Sequence, residues 1–344
     1  MGLVALIGER SRLVVRAGAL HVEKDGVVLR SLQTHELSEL HLYGAADLSP
    51  AARNLLLREG IDVTFLTSDG RFRGRLVGFE SASGARRLAQ MRFVCDPVRR
   101  LGFAREIVRA KIDNQRAVLL RRQERLRDEA VADALGRLRA LAAAAQDAAD
   151  LDVLRGVEGA AAASYFGVFD RVLRSSELRF NGRNRYPPRD PVNAALSFGY
   201  SLLLARVDAA VRAAGLDVAC GVLHEAGRGA PALALDLMEE LRAMVDGVVL
   251  GLLNLRQLGP EDFRSPSPEE LGERAELADG AVFLADVGRA VLLRALERRL
   301  AEPAEHPTRG DRWPMRELIR EQAQQAARLF EGEATAWRPL VIRS

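Results

Sequence analysis

Ser81-Ala82-Ser83-Gly84 is where this chain changes character, and its reading decides the fold. Upstream, β-branched and aromatic runs at 13–15, 19–22, 27–29, 40–43, 61–66 and 76–79 predict short strands, with Asp25-Gly26 and Asp69-Gly70 as hairpin turns. One helix interrupts them: Ser49 is its N-cap, Pro50 suits its first position and Gly60 ends it. Downstream, apolar residues at helical spacing over 101–144, 192–214, 233–255 and 281–300 predict helices, and the alanine-rich runs 142–149 and 160–163 read as closely packed helix. Residues 259–272 and 302–314 read as loops. The expected fold class is α+β: a β-rich N-terminal domain over 1–80, a short linker over 81–90, a larger all-α domain over 91–332 and a C-terminal tail over 333–344.

At 344 residues, with 48% hydrophobic and 28% charged, the chain has the make-up of an ordinary globular protein. Its first sixteen residues are apolar but broken by Glu9, Arg10 and Arg12, so they suit neither a signal peptide nor a membrane span, and a cytoplasmic address is expected. Cys95 and Cys220 are too far apart and too few for a disulfide framework or a structural zinc site, and read as buried small hydrophobes. No GxSxG, Walker or Rossmann pattern is present, which removes most support for a serine hydrolase, a kinase or a dehydrogenase.

Lys24 and Lys111 are the only lysines among 50 basic residues, and the net charge of +3 is mild. The placement of the arginines says more. Arg121-Arg122 reads as a solvated helix face, whereas Arg179, Arg183, Arg185 and Arg189 fall in a Gly/Asn/Pro-rich loop where guanidinium forks can reach phosphates. Together with Asn193, Arg183 and Arg185 are expected to contact DNA.

Three islands carry the chemistry: Gly156-Val157-Glu158-Gly159, Gly221-Val222-Leu223-His224-Glu225, and Leu235-Asp236-Leu237-Met238-Glu239-Glu240. One imidazole and several carboxylates can surround a hard cation, and the oxygen-rich set favours Mg²⁺ or Mn²⁺. Each island alone has a plainer reading. Glu158 suits a helix N-terminus, or else a cleft that its small neighbours open by letting backbones approach closely. His224 suits a satisfied core histidine as readily as a ligand. Asp236, Glu239 and Glu240, at i, i+3 and i+4, share a helix face where their repulsion falls away if a cation sits between them, or where Arg242 or Arg256 pairs with them. His21, His35 and His41 have no converging carboxylates and read as structural or surface residues.

These islands, with Leu40-His41-Leu42-Tyr43-Gly44, the segment around Asn114-Gln115-Arg116 and the run from Asp190-Pro191-Val192-Asn193 to Tyr200, resemble the CRISPR-associated endonuclease/integrase family that inserts new spacers during adaptation. The resemblance implies a β-rich dimerisation domain joined to a helical domain, with Glu158, His224 and Glu239 as metal ligands and Asp236 as a further acid needed for activity. It also implies a homodimer, a small ferredoxin-like adaptation partner, double-stranded DNA as substrate and Mg²⁺ or Mn²⁺ as cofactor. The implied reaction is attack of a 3′-hydroxyl on a phosphodiester at the CRISPR array. Two alternatives remain: a metal-dependent nuclease without the transfer step, and a non-catalytic DNA-binding scaffold of the same fold. Ser164 departs from the family, where an arginine often precedes the aromatic pair matched by Tyr165-Phe166.

Overall fold

The computed structural model describes residues 2–6, 11–67, 70–78, 84–175, 177–184, 186–224 and 230–342, with backbone only for 2–6, Ser38, Arg125, Gly272 and Glu273. The chain divides into two compact units: 1–80, 185–201 and 260–293 form the first, and 81–184, 202–259 and 294–344 the second. The fold class is α+β, strand-rich first and mostly helical afterwards.

The N-terminal strands are β1 (Gly2–Leu6), β2 (Ser11–Arg16), β3 (Ala19–Lys24), β4 (Val27–Leu32), β5 (Leu37–Tyr43), β6 (Asp47–Leu48), β7 (Asp62–Leu66) and β8 (Phe72–Leu76), with α1 (Pro50–Arg58) between β6 and β7. They form two four-stranded sheets, ordered β1-β5-β7-β8 and β4-β3-β2-β6. Asp25 and Gly26 both have positive φ, 50° and 82°, as the expected hairpin turn requires. Ser49 Oγ accepts the Ala52 N–H at 3.2 Å, Pro50 opens α1, and Gly60 leaves it at φ 66°. Leu13, Leu40, Leu56 and Val63, each fully buried, close one core between the sheets and this helix.

Two strands differ from expectation. β1 was not expected from the sequence, because its apolar run is short and lies beside charges. The last strand is 72–76 rather than 76–79, and Phe79 lies outside the described residues. β8 is an edge strand whose arginines find partners on neighbouring segments: Arg75 Nη2 donates to Asp62 Oδ2 at 2.6 Å and Arg73 Nη1 to Gly44 O at 3.3 Å. Asp69 and Ser81-Ala82-Ser83 also lie outside the described residues.

The helices that follow are α2 (Gly84–Cys95), α3 (Pro97–Leu126), α4 (Glu129–Asp147), α5 (Leu151–Phe166), α6 (Pro191–Ala213), α7 (Ala232–Met238), α8 (Arg242–Asn254), α9 (Pro268–Leu271), α10 (Asp286–Ala301) and α11 (Met315–Glu331). The span expected as one helix over 101–144 is two, because Arg127 turns left-handed (φ 51°) and the Asp128 side chain caps the Val131 N–H. Short strands β9 (Phe263–Arg264) and β10 (Phe283–Leu284) pair with each other, as do β11 (Pro303–Glu305) and β12 (Arg312–Pro314), so 302–314 is a hairpin rather than a plain loop. Phe93, Phe103 and Phe330 join α2, α3 and α11 with ring centroids 4.8–6.2 Å apart, and Trp337 of the tail packs on Phe103 at 4.7 Å. α6 is long and apolar enough to cross a membrane, yet 72% of its apolar window is buried inside the protein, as in a core helix. The cysteines do not match expectation. Cys95 ends α2 and is exposed, while Cys220 is half-buried in a loop, with its Sγ 3.3 Å from Met91 Sδ.

Candidate functional site

The site is built within the helical unit around a single carboxylate. Asp236, on α7 and fully buried, faces the loop 221–224. Its Oδ2 accepts the N–H groups of Val222 (2.5 Å) and Leu223 (3.1 Å), and its Oδ1 accepts the N–H of His224 (2.9 Å) and His224 Nδ1 (2.7 Å). The loop's carbonyls are held from the other side: Arg100 Nε donates to Val222 O at 2.7 Å, and Arg155 Nη2 to Leu223 O at 3.0 Å. Gly221 is required for this approach, since a Cβ there would lie 2.6 Å from Asp236 Oδ2 and 2.8 Å from the Ala232 carbonyl carbon. With Nδ1–H committed to Asp236, the Nε2 lone pair of His224 is left as the outward donor. The Asp236 hydrogen bond raises the His224 pKa above its ordinary value, burial works against this, and the charges of Asp236 and Glu239 add to the rise.

Glu158 and Glu239 bring carboxylates to the same place. Glu158 lies past the first turn of α5, whose N-terminus is capped by Asp150 through the N–H groups of Asp152 and Val153. The helix-terminus reading of Glu158 therefore does not apply. Nor do its glycine neighbours serve close packing, because a Cβ at Gly156 or Gly159 would meet nothing within 4 Å. Glu239 sits in a 3-10 turn, Glu239–Leu241, that joins α7 to α8. Arg155, Glu158, Leu223, His224 and Glu239 line one open cleft of about 430 Å³.

Lys111, buried in the middle of α3, extends its Nζ between the two glutamates, contacting Glu158 Oε1 and lying 2.6 Å from Glu239 Oε2. Arg242 Nε donates to the other oxygen, Glu239 Oε1, at 2.8 Å. Burial opposes ionisation of Glu239, but the charges of Arg242 and Lys111 prevail and bring its pKa down to about 2.

The three acidic positions of the last island do not share a cation. Asp236 organises the histidine loop, Glu239 lines the cleft and pairs with Lys111 and Arg242, and Glu240 has other partners, Gln322 Nε2 donating to it at 2.6 Å and the Leu340 N–H at 3.0 Å. Burial among these neutral partners pushes Glu240 up to about 8. What separates them is their partners: the loop 221–224 for Asp236, Lys111 and Arg242 for Glu239, and Gln322 and Leu340 for Glu240.

The donor chemistry of Glu158, Glu239 and His224 Nε2 fits a hard divalent ion. Among the described residues, however, no three His, Cys, Asp or Glu side chains stand close enough to hold one as they are placed. An ammonium fills the space between two of them. Of the residues expected at DNA, Arg183 is half-buried and donates to Asn184 O. Asn193 is fully buried at the start of α6, its N–H and Nδ2 donating to Asp190 at 2.7 and 2.6 Å. Arg185 and Glu225 lie outside the described residues. Lys111, Arg100 and Arg155 were not foreseen as parts of the site. The available signal for the first was its being one of two lysines in a chain that otherwise uses arginine.

A family model described as CRISPR associated protein Cas1 matches residues 4–298. The chain is 37% identical over 337 residues to a Rhodospirillum rubrum protein named CRISPR-associated endonuclease Cas1 2, covering 93% of this chain and 92% of that one. The fold is shared with a casposase bound to integration product (TM-score 0.83, 22% identity, 100% of this chain and 96% of that one). It is shared too with a chain of a partial Cas6-RT-Cas1–Cas2 complex (TM-score 0.66, 25% identity, 99% of each). The family model and the Rhodospirillum rubrum relative place the protein among CRISPR-associated endonuclease homologues. The chain belongs to the Cas1 family.

Proposed function

We propose that the protein is a metal-dependent DNA endonuclease and integrase that joins short DNA fragments to a CRISPR array. The observation that carries this reading is the convergence of Glu158, His224 and Glu239, from three separated segments, on one cleft in a chain of this family. In the reaction, a fragment's 3′-hydroxyl gives up its proton as its oxygen bonds to a phosphorus of the target strand, the target's own 3′-oxygen leaves and takes up a proton, and one phosphodiester replaces another. A bound Mg²⁺ or Mn²⁺ would polarise the phosphoryl oxygen and stabilise the charge that develops there. Glu158, Glu239 and His224 Nε2 would hold it. Asp236 sets the histidine's tautomer and orientation, and Arg155, lining the cleft, offers a guanidinium to a strand entering it. The reaction exchanges like bonds, so it needs no nucleotide cofactor.

Double-stranded DNA is the proposed substrate, with Arg183 and Arg185 as phosphate contacts; Asn193, buried against Asp190, is left out of that contact set. Two further partners follow from the family: a second copy of this chain, and a small ferredoxin-like adaptation protein. The β-rich unit offers a surface for the second copy, because the edge strand β4 leaves Val27 and Leu29 62% and 60% exposed.

The test is a supercoiled plasmid with an added fragment, in Mn²⁺ or Mg²⁺. Joined products are expected from the parent, and none from folded Glu158→Ala, His224→Ala or Glu239→Ala. Linear or degraded plasmid without joining would favour a nuclease lacking the transfer step. DNA binding without any breakage would leave a scaffold.

A further inference from the structure

We infer that Lys111 is a resident cation that occupies the ligand oxygens until DNA draws it away, so that phosphate arrival and metal loading are coupled. This inference rests on the metal reading of Glu158 and Glu239. Lys111 Nζ contacts one oxygen of each, Glu158 Oε1 and Glu239 Oε2. The residue is only 7% exposed, so its ammonium is committed to that pair rather than solvated. The remaining Glu239 oxygen is taken by Arg242, which leaves the side facing Lys111 as the one a new cation would have to enter. A divalent ion and an ammonium cannot share these oxygens without strong like-charge repulsion.

The choice of side chain supports release. Elsewhere in this chain an arginine grips a carboxylate with two nitrogens: Arg264 holds Glu270 at 2.7 and 2.6 Å, and Arg86 holds Glu331 at 2.9 and 3.1 Å. Such forks are fixed in geometry. A lysine makes point contacts from a flexible four-carbon stem and can leave one at a time. In a chain with two lysines among 50 basic residues, one stands at this spot. A DNA phosphate entering the cleft supplies the alternative anion. The ammonium turns to it, the carboxylates are freed, and the two binding events reinforce each other, as linkage requires in both directions.

The experiment measures free Mn²⁺ by electron paramagnetic resonance, with the full chain alone and with a short DNA duplex, in parent, Lys111→Met, Lys111→Arg and Glu239→Gln. The parent should bind Mn²⁺ weakly alone and about tenfold more tightly with the duplex. Lys111→Met should bind it about tenfold more tightly than the parent without DNA, and the duplex should then add little. Its melting temperature in EDTA should drop and recover on adding Mn²⁺ by more than the parent gains. Lys111→Arg, which keeps the charge, covers the case in which the methionine variant does not fold: it should bind Mn²⁺ less tightly than the parent. Equal Mn²⁺ affinity in parent, Lys111→Met and Lys111→Arg, with Glu239→Gln impaired, overturns the resident-cation role alone. Parent binding that is absent, or untouched by Glu239→Gln, overturns the metal reading beneath it.

Discussion

Glu239 and Glu240 are neighbours in one turn, both fully enclosed, yet one is held at about 2 and the other is pushed up to about 8. Burial is common to both and so does not explain the difference. Their partners do. Glu239 meets two cations, Lys111 and Arg242, whereas Glu240 meets an amide side chain and a backbone N–H. The turn thus separates two regions: a cleft side where charge is kept and compensated, and a tail side where a polar group locks structure. Asn114 extends the tail side. It donates to Glu240 O (2.6 Å) and Leu340 O (2.8 Å) and accepts the Ile342 N–H (2.7 Å), so α3 carries Lys111 to the two cleft glutamates and, one turn on, a clamp for the C-terminal segment.

The largest expected effect comes from neutralising the cleft side. Glu239→Gln keeps shape and removes one negative charge from the cleft proposed to receive the DNA backbone. Binding to a duplex in EDTA, read by fluorescence anisotropy, should stay at least as tight as the parent's, while strand transfer in Mn²⁺ falls by about a hundredfold or more, since an amide is a poor ligand for a hard ion. Lost binding with normal transfer per complex would make Glu239 a DNA-positioning residue instead.

Next comes the loop that presents the histidine. Gly221→Ala puts a methyl group 2.6 Å from Asp236 Oδ2 and 2.8 Å from backbone that cannot yield easily. A loss of about 2–3 kcal/mol of stability is expected, typical of strain at a tightly packed position, together with loss of transfer out of proportion to the fraction unfolded. Full transfer in a destabilised variant would show that His224 does not depend on this loop geometry.

Asn114→Ala strikes the opposite side. It leaves two carbonyls and an N–H buried without their partner, for a cost of about 2–4 kcal/mol, and should expose the tail beyond Trp337 to limited proteolysis. Mn²⁺ affinity should stay at the parent's level. A variant whose tail loosens and whose metal affinity collapses as well would mean that the two sides of the turn are not separable.

Why some of this was legible and some not follows from the range of the interactions. Asp25-Gly26, Ser49-Pro50 and Gly60 act through their own backbone, so the turn and α1 could be placed from residue identity alone. The existence of most helices is written in apolar spacing, and the islands around Glu158, His224 and Glu239 were visible as separate motifs. What each carboxylate does was not. Asp236, Glu239 and Glu240 look alike in a helical projection, and only partners far along the chain, such as Lys111 for Glu239 and Gln322 and Leu340 for Glu240, distinguish them. The same holds for β8, whose arginines discourage a strand reading until Asp62 is found on the neighbouring strand. The break at Arg127 and Asp128 was a local signal that the surrounding helical pattern outweighed.

The smallest expected effect is the most specific test of the contrast. A carboxyl whose pKa is raised on folding, here from 4.5 to about 8, binds its proton more tightly in the folded state than in the unfolded one. Stability is then fully present below about pH 4.5 and declines as pH rises toward 8, the reverse of a carboxylate such as Glu239 whose pKa is depressed. Glu240→Gln carries no titratable proton, so its stability should lose that decline. Chemical denaturation at pH 5 and pH 8, compared with the parent, should show a pH slope smaller by up to about one proton, or on the order of 3 kcal/mol between the two conditions, with the variant the more stable at pH 8. Strand transfer should remain, because Glu240 faces the tail and not the cleft. A parent whose stability rises from pH 5 to pH 8, with no change of slope in Glu240→Gln, would show that Glu240 is ionised where it sits. The contrast between the neighbours would then be one of position only.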